Sequence, residues 1–305
     1  MNGARTTLVV LFGGQSAEHD VSCVTASHVI RAADPQKYDV VGVGIARDGS
    51  WHRPAGLTFN GTAPRTIPGR LTVEGPAVEP STVIDRDDSG MVVLPMLHGP
   101  LGEDGTVQGM LELMDVPYVG SGVLASAVAM DKGIAKQLLS GAGIPQARHV
   151  TLHADECTGD TLAAVLADLG GDVFVKPANM GSSVGVSHAD SAGAVVDAVA
   201  LASRYDNWIV IEETVRAREI EVSVLGNRTP RASLPGEITP SKDFYDYADK
   251  YEDDAATLTV PAHLTPEQTA EVRELALRAY VTLRCEGMAR VDFFFEENEI
   301  GRAHV

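Results

Sequence analysis

Five short stretches of this 305-residue chain combine residue types that could do chemistry. In Lys176-Pro177-Ala178-Asn179-Met180-Gly181-Ser182-Ser183-Val184-Gly185 an apolar run delivers a lysine, and small residues follow. Small residues let backbone N–H groups approach phosphate oxygens, and the lysine adds a point charge. The lysine precedes the glycines, so this is not the G-x-x-x-x-G-K-[ST] loop. An ordinary Gly/Ser turn would read the same way. In Phe12-Gly13-Gly14-Gln15-Ser16-Ala17-Glu18-His19-Asp20, two glycines end an apolar run. The carboxyl ends of parallel strands are where open α/β sheets bind ligands. Glu18 is there an ammonium ligand, or a charge at the positive end of a helix. His98-Gly99-Pro100-Leu101-Gly102-Glu103-Asp104-Gly105 follows another such run, and His98 alone would read as structural. Phe244-Tyr245-Asp246-Tyr247-Ala248-Asp249-Lys250-Tyr251 makes a poor strand or helix and reads as a lid loop or a solvated aromatic loop. In Met288-Ala289-Arg290-Val291-Asp292-Phe293-Phe294-Phe295, alternation puts Arg290 and Asp292 on one strand face. That pattern suits a buried polar site or a structural ion pair.

The elements that must position these residues follow from periodicity. Apolar runs at 7–12, 39–46 and 92–97, with a helical pattern over 21–33, predict a parallel sheet with helices on its faces. Residues 47–90 are rich in Pro, Gly and Thr and read as loops with short strands. One long helix is predicted over 125–142, stopped by Gly143 and Pro145. Strands are predicted at 148–151, 173–176, 208–212, 219–225, 232–238 and 287–295, with helices at 161–169 and 192–203. Thr265-Pro266-Glu267-Gln268 predicts a capped helix start, and Val272, Leu275, Ala276, Ala279 and Leu283 form its apolar stripe.

Composition narrows the function classes. Forty-two acidic against twenty-four basic residues give a net charge of −18, which argues against a nucleic-acid surface. A local basic pocket for a small phosphate ligand is still compatible with that charge. The 44% hydrophobic content supports a packed core. No apolar run approaches the ~18 residues of a membrane helix, so no membrane partner is expected. Cys23, Cys157 and Cys285 have neither disulfide-framework nor metal-ligand spacing, and a cytoplasmic location with reduced thiols is expected. The chain holds only six lysines, which makes each one informative.

Taken together and in this order, the five stretches resemble the D-alanine–D-alanine ligase family of ATP-grasp enzymes, from about Thr7 to Phe295. The resemblance implies an α/β fold: an N-terminal parallel-sheet, Rossmann-like domain over 1–124, then a two-part ATP-grasp fold. The central part would span 125–215 and the C-terminal part 216–305. It implies that Lys132, Lys176 and Lys250 hold the phosphates of ATP and that Ser183 contacts them from the loop. Glu212 and Val215 would hold adenine, and Glu219 the ribose. Glu18 would bind the first D-alanine's ammonium, with Ser182, Tyr251 and His98 around that substrate. Arg290 would stabilise the developing oxyanion, and Asp292 would bind Mg2+ or Mn2+. A carboxylate would attack the γ-phosphate, and the amine of a second D-alanine would displace phosphate from the acyl phosphate. The resemblance further implies a homodimer. A D-alanine–D-lactate ligase is the nearest alternative, and the FYDYxxKY loop with Tyr251 favours the dipeptide ligase. A non-catalytic nucleotide-binding fragment is the alternative outside the enzyme class.

The end of the chain departs from the family pattern. Asn298-Glu299-Ile300 imitates the start of the family's NEINTMPG segment, but Glu299 follows Asp292 by only seven residues. Ile300 to Val305 back-translates as ATC GGA AGA GCA CAC GTC, the stem of a widely used sequencing adapter. The expectation is that native sequence ends near Asn298. The chain as it stands would then lack the metal-binding Glu and Asn and be inactive.

Overall fold

The computed structural model describes residues 5–61, 66–84, 90–239, 257–296 and 299–304. The chain divides into two compact units, Met1–Val123 and Leu124–Val305.

The first unit is built on β1 (Thr6–Gly13), which pairs in parallel with β2 (Tyr38–Ile45) and with β5 (Met91–Pro95). Two short antiparallel strands, β3 (Trp51–His52) and β4 (Thr58–Asn60), flank β2 and use the Pro- and Gly-rich stretch. Successive β1 side chains alternate between faces. Leu8, Val10 and Phe12 meet Cys23, Ala26 and Ile30 of α1 (His19–Ala32). Val9 and Leu11 meet Val107 and Leu111 of α3 (Thr106–Leu113) and Val83 of α2 (Pro80–Val83). Coverage of both faces explains the unbroken apolar run Val9–Phe12, every residue of which is fully buried. Burial of each side chain stabilises the unit by about 1.5–3 kcal/mol.

The second unit contains two antiparallel sheets. One has the order β6 (His149–His153), β9 (Trp208–Glu213), β7 (Val173–Pro177), β8 (Ser187–Ala189). Its Val173, Val175, Ile209 and Ile211 side chains pack under α6 (Gly159–Asp168) and α7 (Ala192–Ala202). The other runs β13 (Thr257–Thr259), β12 (Gly236–Thr239), β10 (Arg218–Leu225), β14 (Met288–Glu296), β15 (Glu299–His304), with β11 (Arg231–Ala232) also on β10. Ile220, Val222, Val224, Phe293 and Phe295 form its apolar face, covered by α8 (Pro266–Thr282). The helix opens with the expected capping box between Thr265 and Gln268, and the five predicted stripe residues are all buried. Among the described residues, no helix is long and apolar enough to cross a membrane.

Two expected elements are corrected. The single helix over 125–142 is two helices, α4 (Val123–Met130) and α5 (Lys132–Gly141). Asp131 breaks it: its backbone is extended, and its side chain accepts from the Ile134 amide as an N-cap. Aspartate is favoured at that position over a helix interior. The strand expected over 232–238 is interrupted between β11 and β12. Pro235 has no N–H for the ladder, and the Ser233 hydroxyl takes up the Ser223 amide instead.

Candidate active site

Strand alternation sets a polar face on the sheet opposite α6 and α7. Lys176 pairs in register with Val210 and Phe174 with Glu212, so Lys176 and Glu212 are diagonal neighbours on that face. The Lys176 ammonium donates to Glu212 Oε2 at 2.6 Å, and both side chains are buried. His149 sits opposite Glu212 on the other side of β9. Burial pushes the His149 imidazole below its ordinary pKa; the Ala147 carbonyl and Glu212 oppose the shift, and the Lys136 charge adds to it. Burial also pushes Lys176 down, while the Glu212 and Glu219 carboxylates favour its charged form.

The second approach to this cluster comes from α5. Lys132 and Lys136 are one turn apart on the same helix face. Lys132 binds the loop after β7: its amide donates to the Ala178 carbonyl, and its ammonium donates to the Met180 carbonyl. Lys136 reaches the cluster itself, with Nζ 2.9 Å from Glu212 Oε1. One buried carboxylate is therefore shared by two ammonium groups. Lys136 was absent from the sequence expectations, although its i,i+4 spacing from Lys132 was the available signal.

The small-residue loop has fixed geometry. Ser182 and Ser183 both hold positive φ, +49° and +59°, in a turn closed by the Val184 amide on the Gly181 carbonyl. Gly185 follows at φ +73°, where a Cβ would lie 2.7 Å from the Tyr205 ring. Asn179 anchors the loop's start through two donations to Asp206 at 2.8 Å. Val215 lies in the connection from β9 to β10, half-buried. Glu213, beside Glu212, is occupied by the Arg148 guanidinium and backbone amide.

On the other sheet, Glu219, Glu221, Arg290 and Asp292 share the face away from the core. Arg290 grips Asp292 with two donations, 2.7 and 2.8 Å, and its Nε lies 3.1 Å from Glu221. The Arg290 side chain is 55% exposed, so of the two expected forms this is an open ion pair rather than a buried polar site. Glu221, unmentioned in the sequence reading, is pushed above the usual carboxylate range by burial, with Asp292 adding and Arg290 opposing. Among the described residues no group of three or more His, Cys, Asp or Glu side chains is gathered as a ready metal site. The anionic oxygen donors Asp292 and Glu221 still fit a hard divalent cation, which takes one or two carboxylates and completes its shell with phosphates and water.

In the first unit, the expected substrate residues gather at the carboxyl ends of β1 and β5. The Ser16 hydroxyl donates to the His98 carbonyl at 2.7 Å and accepts from the Glu18 amide. Glu18 is 3% exposed, and its Oε2 would lie 2.2 Å from any Cβ at residue 99. Gly99 is thus required twice, by that approach and by its φ of +71°. The His98 ring contacts the Thr25 hydroxyl at 3.1 Å. Glu103 and Asp104 stabilise their own turn, accepting from the Gly99, Leu101 and Thr106 amides. A cavity of about 250 Å³ is lined by Gln15 and His98 together with Ile45, Trp51 and Met110. Lys250, Tyr251 and the rest of the tyrosine-rich loop lie outside the described residues, as does Asn298.

Comparison with known proteins accounts for both units. Residues 7–121 match the family model described as D-ala D-ala ligase N-terminus, and residues 138–301 the one described as D-ala D-ala ligase C-terminus. A D-alanine–D-alanine ligase of Geobacillus thermodenitrificans is 44% identical over 307 residues, 96% of this chain and 84% of that protein. The D-alanine–D-alanine ligase structure from Coxiella burnetii superposes with a TM-score of 0.76 at 32% identity, covering 97% of this chain and 83% of its own. VanG D-Ala:D-Ser ligase from Enterococcus faecalis gives 0.78 at 29%, covering 97% and 88%. The mixed α/β architecture and the two matched halves lead to one assignment: this chain belongs to the D-alanine–D-alanine ligase family, with the ATP-grasp fold of that family.

Proposed function

We infer that this protein joins two D-alanines to D-alanyl-D-alanine at the expense of ATP, for cell-wall precursor synthesis. The observation that carries the reading is the convergence of Lys132, Lys176 and Glu212 beside the Gly181–Gly185 loop, in a chain 44% identical to a D-alanine–D-alanine ligase. Phosphoryl transfer needs positioning and charge neutralisation more than a covalent enzyme intermediate, and ammonium groups held by their neighbours supply both. In this reading Lys132, Lys176 and Lys250 hold phosphate oxygens, with Ser183 a further phosphate contact. Glu212 and Val215 contact adenine, and Glu219 the ribose. Glu18 and His98 hold the first D-alanine in the first unit, and Ser182 and Tyr251 keep the substrate roles that the family motifs give them. Arg290 donates to the carbonyl oxygen as negative charge develops there during amine attack on the acyl phosphate. Asp292 would hold Mg2+ or Mn2+, which when bound neutralises phosphate charge. We propose that residues 1–124 capture the substrate and that 125–215 and 216–305 enclose the nucleotide, in a cytoplasmic homodimer.

D-alanine-dependent phosphate release, with the product identified by mass spectrometry, tests this reading against the expectation that the chain as it stands is inactive. D-Serine and D-lactate as second substrates test the alternatives. ATP binding without phosphate release would instead make the chain a nucleotide-binding protein.

A further inference from the structure

Lys136 lies outside every motif, yet it is fully buried, the least exposed charged side chain among the described residues. A lysine loses hydration this completely only against a counter-charge. Its Nζ is 2.9 Å from Glu212 Oε1, while Lys176 occupies Oε2 at 2.6 Å. Were Lys176 and Glu212 alone, ammonium and carboxylate would satisfy each other, and a phosphate would compete with a buried pair. A second ammonium on the same carboxylate divides its attraction. The placement is fixed by packing on the helix: neighbouring Ala135 and Leu139 are buried in the core, and the Gln146 amide nitrogen donates to the Lys136 carbonyl at 2.9 Å.

We propose that Lys136 is a positioning residue for nucleotide phosphates: it holds the Glu212 carboxylate so that Lys176 turns its charge toward a polyphosphate. This rests on the reading of Lys176 as a phosphate ligand. The Lys136 charge is felt at Lys176, where it adds to the effect of burial. From two ammonium groups and one carboxylate, the trio's formal charge is 2 − 1 = +1. Lys136→Met makes it 0, Glu212→Gln makes it +2, and the double variant restores +1.

The experiment measures dissociation constants of ADP and adenosine for these variants and for Lys176→Met in the full chain. The affinity ratio of ADP to adenosine cancels contacts to adenine and ribose. In Lys136→Met the ratio should fall about tenfold or more, the scale of one charge-assisted hydrogen bond. It should rise in Glu212→Gln and return in the double variant to within about threefold of the original. Equal losses for ADP and adenosine in Lys136→Met, or a ratio that does not follow the charge, would overturn the proposal. Should Lys136→Met fail to fold, Glu212→Gln against the double variant still isolates the Lys136 charge. A ratio unmoved by Lys176→Met would instead remove Lys176 from the phosphates, a separate failure of the underlying reading.

Discussion

Two ion clusters in the second unit are opposites. In one, a carboxylate stands between two ammonium groups, with side chains 0%, 2% and 7% exposed. In the other, a guanidinium stands between two carboxylates, with Arg290 at 55% and Asp292 at 36%. The first is closed to water; in the second Arg290 and Asp292 are open to it, while Glu221 at 18% is mostly covered. Removing a member of a buried cluster strands a charge in a low-dielectric interior. Removing an exposed member of the second leaves water to solvate most of what remains, Glu221 excepted. The buried trio should therefore govern both folding and ligand affinity, and the more open one chiefly turnover.

The sharpest way to break this contrast is Glu212→Ala. It leaves two buried ammonium groups without their shared carboxylate and should cost about 3–5 kcal/mol of stability in chemical denaturation. A loss below about 1 kcal/mol, the scale of an exposed pair, would erase the difference between the clusters. Arg290→Ala should do the reverse. Its stability should fall less, by about 1–3 kcal/mol, because Glu221 alone loses a partner under cover, while turnover falls about 10²–10³-fold, the effect of losing one oxyanion donor. Normal turnover in that variant would move the chemistry away from the open cluster. Lys176→Ala should weaken ATP by the worth of a charge-assisted hydrogen bond, about 1.5–3 kcal/mol, in direct titration.

The smallest effect comes from a pair between these extremes. Arg218 donates twice to Glu237 at 2.7 Å, which holds the Glu237 carboxyl below its usual range. A carboxylate with a depressed folded pKa stabilises the fold above its unfolded value and loses that contribution as pH falls through the folded one. Glu237→Gln should thus flatten the acid limb of a stability-against-pH curve, leaving a difference of order 1 kcal/mol at neutral pH. An unchanged acid limb would show that the partly exposed pair behaves like the open cluster.

Much of the architecture was legible because it rests on periodicity and caps. The β1 run, the Thr265–Gln268 box and the α8 stripe each follow a local rule that the tertiary structure leaves unaltered. The alternation of Arg290 and Asp292 gave their shared face, but not its exposure, which depends on what covers the strand. The break at Asp131 was missed because apolar spacing continues through it, although the capping residue was in view. Lys136 and Glu221 were missed for another reason. Their partners, Glu212 and Arg290, lie 76 and 69 residues away, and only helix–sheet packing and strand register bring them together. Motif reading finds groups that sit in one segment, whereas charge sharing is a property of the assembled sheet faces.

The left-handed backbone at Ser182 and Ser183 has a consequence for how a ligand would meet the loop. Such conformations are rare for side-chain-bearing residues and cost of order 1–3 kcal/mol each. Folding imposes that cost, through the Gly181–Val184 turn and the Asn179 anchor, in the chain without any ligand. Binding then has little conformational entropy left to remove from these residues, so the loop acts as a preorganised receptor. Glycine at either serine would relax the strain but restore freedom to the unfolded loop, trading a shaped cradle for a compliant one.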